Sequence, residues 1–88
     1  TAQLIATVTR PRDEAVQRSA RARLARLTER EREVAEAVSE GLTNAEIADR
    51  LHLGVATVKT HVGALFSKLD VTNRVQIARC LHEATTER

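Results

Sequence analysis

Residues 55–69, VATVKTHVGALFSKL, combine cationic and hydrogen-bonding side chains with several small residues. At helical spacing one side of this stretch is apolar, and the opposite side carries small residues with a lysine on its flank: Ala56, Thr60, Gly63, Ser67 and Lys59. A solvent-facing helix surface normally carries Glu, Lys, Gln or Arg, and a glycine in mid-helix costs about 1 kcal/mol relative to alanine. The chemistry that these residues offer is recognition by charge and hydrogen bonds, on a face where a partner can approach the backbone.

Two kinds of partner fit a helix face of this type. Another helix can pack on small residues, and the major groove of duplex DNA is about as wide as one helix. Charge favours the second partner, because no acidic residue occurs between Asp49 and Asp70 while several basic or titratable side chains do: Arg50, His52, Lys59, His61 and Lys68. A segment without carboxylates suits a polyanion better than a protein helix, although a helix partner remains an alternative.

Composition indicates a small helical domain. The 88 residues bury only a modest core and fit one domain built from short helices. Phe66 is the single aromatic residue, so the chain has no platform of rings on which single-stranded bases could stack. The net charge of +2 conceals an asymmetry, since residues 1–26 hold six Arg against two acidic residues and residues 27–88 hold eight Lys and Arg against ten.

Catalysis and metal binding have little support in the sequence. No nucleophile accompanies a base and an orienting carboxylate, no Gly-rich loop is present, and no His pair has metal-ligand spacing, so we expect no enzyme activity, cofactor or metal. Cys80 is the only cysteine, which excludes an intrachain disulfide and fits a reducing cytoplasm. No apolar run approaches the ~20 residues of a membrane span. The first residue is Thr1 rather than Met, which suggests a fragment or a processed N-terminus.

The first part of the chain reads as a linker. Residues 1–9 are compatible with a short helix, Pro11 interrupts the pattern, and residues 13–26 are rich in Ala and Arg. We therefore expect a loosely helical basic linker over residues 1–26, with a disordered leader as the alternative. Its arginines are also candidates for a basic arm that contacts DNA.

Capping-box spacing marks the starts of two helices. Thr28 and Glu31 predict the first, because the threonine hydroxyl accepts the backbone N–H three residues on while the glutamate reaches back to the threonine N–H. Thr43 and Glu46 predict the second. Gly41 is placed to adopt the left-handed conformation that ends the first helix.

Hydrophobic periodicity completes a compact bundle of four helices. The first carries five glutamates that we expect on its exposed side: Glu29, Glu31, Glu33, Glu36 and Glu40. The second ends near His52, the third covers residues 55–69, and the fourth runs from about Asn73 to Ala84. Because only three residues separate the second and third, these two form a helix-turn-helix.

Residues 27–78, LTEREREVAEAVSEGLTNAEIADRLHLGVATVKTHVGALFSKLDVTNRVQIA, resemble the LuxR-type helix-turn-helix domain of NarL/FixJ response regulators and quorum-sensing regulators. The motifs LTEREREV, GLTNAEIA, TVKTHV and KLDVTNR occur in the family's order and spacing. The resemblance implies an all-α domain over residues 27–88 that binds double-stranded DNA as the effector of a cytoplasmic transcriptional regulator. It also implies a receiver or sensor domain N-terminal to this fragment.

The resemblance further implies that side chains of the third helix read bases in the major groove, at Lys59, Thr60 and position 63. Lys59 can donate to guanine, and Thr60 can meet a thymine methyl group or a hydrogen-bonding edge. Gly63 departs from the long polar residue frequent in the family. Base reading is therefore expected to depend on Lys59 and on DNA shape.

For phosphate contacts the resemblance indicates Asn44, Thr57 and Lys68, helped by the partial charge of helix N-termini. Helix capping by Thr57 and a solvated position for Asn44 are the simpler alternatives. Ala45 replaces a frequent family lysine and Gly54 a frequent serine cap, so modest backbone affinity is expected. His61 is expected to pack at the rim of the apolar stripe, and Arg74 to stabilise the turn before the fourth helix.

The fourth helix is broadly apolar and is predicted to carry a homodimer surface, which the family also implies. The predicted contact residues are Ile77, Cys80, Leu81 and Ala84. A broadly buried last helix without a partner is the alternative. A rival function for the whole chain is a protein-interaction bundle that uses the small-residue face of the third helix, and salt dependence separates it from DNA binding.

Overall fold

The computed structural model describes residues 11–85, with side chains for residues 14–85. This part of the chain forms five α-helices and no strand: α1 (Pro11–Leu24), α2 (Glu29–Ser39), α3 (Asn44–Leu51), α4 (Val55–Leu69) and α5 (Arg74–Thr85). The predicted all-α class is confirmed, and the helix expected over residues 1–9 lies outside the described residues. None of the helices between residues 11 and 85 has the length and apolar character needed to span a bilayer.

Both predicted capping boxes are present. The Thr28 hydroxyl accepts the Glu31 N–H at 3.1 Å, and the Thr28 N–H donates to Glu31 Oε1 at 2.9 Å. Thr43 and Glu46 repeat this exchange at 3.1 and 2.8 Å. Gly41 has a φ of 87°, which glycine adopts without a steric penalty, so the predicted end of α2 is also confirmed.

A turn of three residues joins α3 to α4. His52 takes the left-handed conformation at φ 58° and ends α3, and the Leu53 N–H donates back to Ala48 O at 2.9 Å. Gly54 is the residue before α4 and makes no side-chain capping bond. The helix-turn-helix relation therefore has the predicted boundaries.

The core draws side chains from all five helices. The apolar stripe predicted for α4 is buried, with Val58, Leu65 and Leu69 fully inaccessible. α4 contacts α1, α2, α3 and α5, and α5 packs mainly on α1 and α2. α4 is thus fixed along its inner side by the rest of the bundle.

α1 is part of this core. Ala20 and Leu24 are buried, and the helix packs on α4 and α5. The division of the chain at residue 26 stays a prediction, but residues 11–24 contribute to the same hydrophobic core as the helices that follow.

The four residues predicted for the dimer surface lie inside the bundle. Ile77, Cys80, Leu81 and Ala84 are buried within this chain, where α5 packs on α1 and α2, and the homodimer itself stays a prediction. A bundle of the four predicted helices would leave one side of α5 uncovered. α1 packs on that side of α5. Burial also raises the pKa of the Cys80 thiol, which keeps it uncharged.

One of the five glutamates of α2 does not lie on the exposed side. Glu31 is only 8% exposed, and its Oε1 accepts from Lys68 Nζ of α4 at 2.8 Å. The hydrogen bonds from Lys68 and from the Thr28 backbone hold the pKa of the Glu31 carboxyl below its ordinary value, against the opposing effect of burial. Its carboxylate caps α2 and links it to α4.

We expect Glu31→Gln to lower the free energy of unfolding at pH 7 by about 1 kcal/mol, since a charged acceptor is lost. Because folding lowers this pKa, the contribution is present above the unfolded value of about 4.5 and is lost as the pH falls through the folded value. Urea denaturation at pH 7 and at pH 3 measures the free energy of unfolding of the unsubstituted chain and of Glu31→Gln. The difference between the two chains should be smaller at pH 3 than at pH 7. Glu33→Gln, at an exposed pair with Arg30, is the control. Equal effects of the two substitutions at pH 7 would contradict the assigned role.

Candidate nucleic-acid interface

The small-residue face of α4 lies on the surface of the molecule. Ala56, Thr60, Gly63 and Ser67 are all exposed, on the side of the helix opposite its buried stripe. The residues between 50 and 69 include no acidic side chain. The structure therefore presents an exposed helix face without carboxylates, as the periodicity predicted.

Gly63 has no packing reason within the protein. A Cβ atom built at this position meets nothing within 4 Å, and its φ is not in the left-handed region. The Cβ of an alanine therefore fits the space, although the glycine weakens the middle of α4. A requirement for close approach by a partner would explain a glycine at this position.

Lys59 and Thr60 differ in what they can offer a partner. Lys59 is exposed and makes no hydrogen bond or ion pair to a residue within the described part of the chain. The Thr60 hydroxyl donates to Ala56 O at 3.1 Å, so its proton is used within the helix. Thr60 is left with its methyl group and an oxygen that can accept.

Asn44 is held by Arg74. Arg74 Nη1 donates to Asn44 Oδ1, and Nη2 donates to Leu42 O, both at 2.7 Å. This arrangement joins the start of α5 to the turn before α3. Arg74 therefore has a structural role, as expected, but these contacts lie at the turn before α3 rather than at the turn before α5. Asn44 is half-buried rather than simply solvated, and its side-chain amide nitrogen is the group left to act as a donor.

Thr57 lies exposed in the first turn of α4, and no side-chain hydrogen bond caps the N-terminus of this helix at Gly54. The structure thus does not show the capping role that was the simpler alternative for Thr57. No acidic residue lies in this turn, so the partial positive charge of the helix N-terminus is not offset locally.

Lys68 lies at the opposite end of α4 and pairs with Glu31. Glu31 engages one ammonium proton, and two remain for another acceptor. Thirty-seven positions separate the two residues, so no local pattern reveals the pair. Arg50, at the end of α3, likewise pairs with Glu40, the residue that ends α2, at 2.7 Å.

Within residues 14–85 no group of three or more His, Cys, Asp and Glu side chains is arranged to hold a metal ion. His61, expected at the rim of the apolar stripe, is half-buried.

An all-α bundle that contains a helix-turn-helix and presents an exposed helix face without carboxylates is typical of DNA-binding regulatory domains. The sequence profile of the luxR family of bacterial regulatory proteins matches residues 25–81, and the chain belongs to this family. Its members regulate transcription through DNA binding.

Curated relatives include the transcriptional regulatory protein LiaR of Bacillus subtilis, 46% identical over 56 residues, which are 64% of this chain and 26% of the relative. The response regulator protein VraR of Staphylococcus aureus is 48% identical over 50 residues, 57% of this chain and 24% of the relative. VraR of Staphylococcus epidermidis gives the same values. The chain thus spans about a quarter of the length of these relatives.

We expect Gly63→Ala to raise the free energy of unfolding by up to about 1 kcal/mol, because the site is open and helical. Gly41→Ala is the matched control and should lower it, since φ at Gly41 is positive. Urea denaturation without DNA measures both. A loss of stability in Gly63→Ala would show that the glycine serves the fold itself.

Proposed function

We propose that this domain binds double-stranded DNA with α4 in the major groove and with Lys59, Thr60 and Gly63 at base edges. The observation that carries the proposal is the exposed, small-residue face of α4 with the unpaired Lys59 on its flank. Small side chains allow the helix axis to approach the floor of the groove, and the absence of carboxylates avoids repulsion of the phosphates.

Each proposed base contact has a distinct chemistry. The Lys59 ammonium can donate to the O6 and N7 acceptors of guanine, and the Thr60 methyl group suits a thymine methyl group. The use of the Thr60 hydroxyl proton within α4 supports the methyl contact over donation to a base. Gly63 supplies proximity rather than a side-chain contact, so DNA shape would contribute to the selected sequence.

Phosphate contacts are proposed for Asn44, Thr57 and Lys68. Asn44 has an amide donor beyond its bond with Arg74, and Thr57 lies at the positive end of α4. Lys68 would use an ammonium proton not engaged by Glu31. These contacts position the helix but carry no sequence information.

A homodimer through the last helix is also proposed, now on its outer side. Val75 of α5 is 76% exposed, the largest exposure among the large apolar side chains of the described residues. Together with Val38, Leu42 and Ala78 it lines a shallow groove between α2 and α5. An exposed apolar side chain beside a groove suits a two-fold contact, and paired domains match the two half-sites that helix-turn-helix dimers bind.

The chain is further proposed to be the effector part of a two-component response regulator, with a receiver or sensor domain N-terminal to it. The support is the description of the VraR relatives as response regulators and their length, of which this chain covers 24%. The rival function, a bundle whose α4 face binds a protein helix, needs no phosphate contact and so predicts little salt dependence.

We expect selection from a random duplex pool to enrich a two-half-site sequence, with affinity that falls steeply as salt rises. Lys59→Ala should lose about 1–3 kcal/mol of discrimination at one base position in each half-site. Arg18→Ala is the control, because it removes an exposed positive charge of α1 without touching α4. Failure to enrich any sequence, or binding indifferent to salt and to Lys59, would favour a protein partner.

Val75→Glu should reduce cooperative occupation of the two half-sites about tenfold, because a carboxylate would be desolvated in the contact, while affinity for one half-site stays unchanged. Sedimentation of the complexes with one-site and two-site duplexes measures both quantities. Val16→Glu, at an exposed valine of α1, is the matched control. Unchanged cooperativity in Val75→Glu would exclude this side of α5 as the dimer surface.

A further inference from the structure

The C-terminal end of α4 has a complete set of hydrogen bonds. A helix leaves its last four carbonyl groups without partners inside the helix, and in α4 these belong to residues 66–69. The Asp70 N–H donates to Phe66 O and Ser67 O, and the Val71 N–H also donates to Phe66 O at 3.0 Å. The local turn therefore satisfies the first two of the four carbonyl groups.

Two arginines, one in α1 and one just beyond it, donate to the other two carbonyl groups. Arg23 Nη1 donates to Leu69 O at 2.9 Å, and Arg26 Nη1, just beyond the end of α1, donates to Lys68 O at 3.5 Å. A guanidinium at a helix C-terminus also interacts favourably with the partial negative charge there. Both hydrogen bonds join parts of the chain that are distant in sequence, since each arginine is more than 40 positions from its acceptor.

α1 itself is held against the bundle near these arginines. Ala20 and Leu24 are buried in the core, and Arg21 Nε donates to Ala84 O in the last turn of α5 at 3.1 Å. One helix thus contacts the C-terminal ends of both α4 and α5. This gives α1 a fixed place from which to hold α4.

We propose that Arg23 and Arg26 are positioning residues for DNA recognition, which set the tilt of α4 by holding its C-terminal carbonyl groups. The inference rests on the proposed function of α4. Lys59 lies ten residues before Leu69, about 15 Å along the axis at 1.5 Å per residue. Freeing the held end to tilt by about 5° displaces Lys59 by about 1 Å, which is enough to lose a hydrogen bond to a base edge.

This role differs from that of a basic arm that touches phosphates. An arm acts through charge, so every exposed arginine of α1 would contribute alike, on any DNA sequence. Positioning acts through geometry, so it affects the selected sequence more than DNA in general. Arg18 separates the two, since it is exposed and makes no hydrogen bond or ion pair with α4 within residues 14–85.

The experiment compares Arg23→Gln with Arg18→Gln in the full 88-residue chain, so that each variant loses one charge. Affinity is measured for the selected duplex and for a scrambled duplex of equal length. Backbone amide shifts of Lys59, Thr60 and Gly63 are recorded without DNA. Arg26→Gln, at the longer and more exposed contact, replaces Arg23→Gln should that variant not fold.

We expect Arg23→Gln to bind the selected duplex about tenfold more weakly, as for the loss of one charge-assisted hydrogen bond, and to shift the three amide signals. On scrambled DNA it should match Arg18→Gln, which should leave the amide signals in place. Equal losses in both variants on both duplexes, or unshifted signals with unchanged selectivity, would overturn the inference. Selectivity that survives Lys59→Ala would instead reject the proposed function, and the amide shifts would still decide whether Arg23 positions α4.

Discussion

The rotation of α4 about its own axis is fixed by the burial of one stripe of its side chains. Val58, Leu65 and Leu69 are inaccessible to solvent, and burial of each such side chain contributes about 1.5–3 kcal/mol relative to exposure. A turn of the helix by one residue would expose them and bury polar neighbours. The packing that holds the bundle together therefore also determines that Lys59 and Thr60 face outward.

A small number of polar contacts fix the helices along their axes, where apolar packing alone tolerates sliding. Glu31 joins the start of α2 to the end of α4 through Lys68, and Arg74 joins α5 to the turn before α3. Such contacts are directional, because each needs its donor and acceptor within about 3 Å. Within residues 14–85 no buried side-chain nitrogen or oxygen lacks a hydrogen-bond partner. The polar groups between the helices are thus part of the fold rather than exceptions to it.

The place of α1 changes which surfaces remain available. It covers the side of α5 that carries Cys80 and Ala84, and it leaves the outer side with Val75 exposed. The face of α4 proposed to meet DNA and the exposed Val75 belong to different helices, so the proposed recognition and self-association use different helices of the bundle. The family profile begins at residue 25 and therefore does not include α1, although the core does.

The sequence by itself determined two helix starts, the helix-turn-helix and the small-residue face of α4. Capping boxes, a glycine at a helix end and apolar periodicity reveal these features because each acts over a few residues. Thr28, Gly41 and Val58 have the roles that these local rules predict. Contacts between distant residues needed the tertiary structure. The pairing of Glu31 with Lys68 and the packing of α1 against the end of α5 at Ala84 leave no local signal, since a long side chain and a weakly amphipathic helix are compatible with several partners. Only the packed bundle selects among those partners, because their burial depends on where all five helices lie.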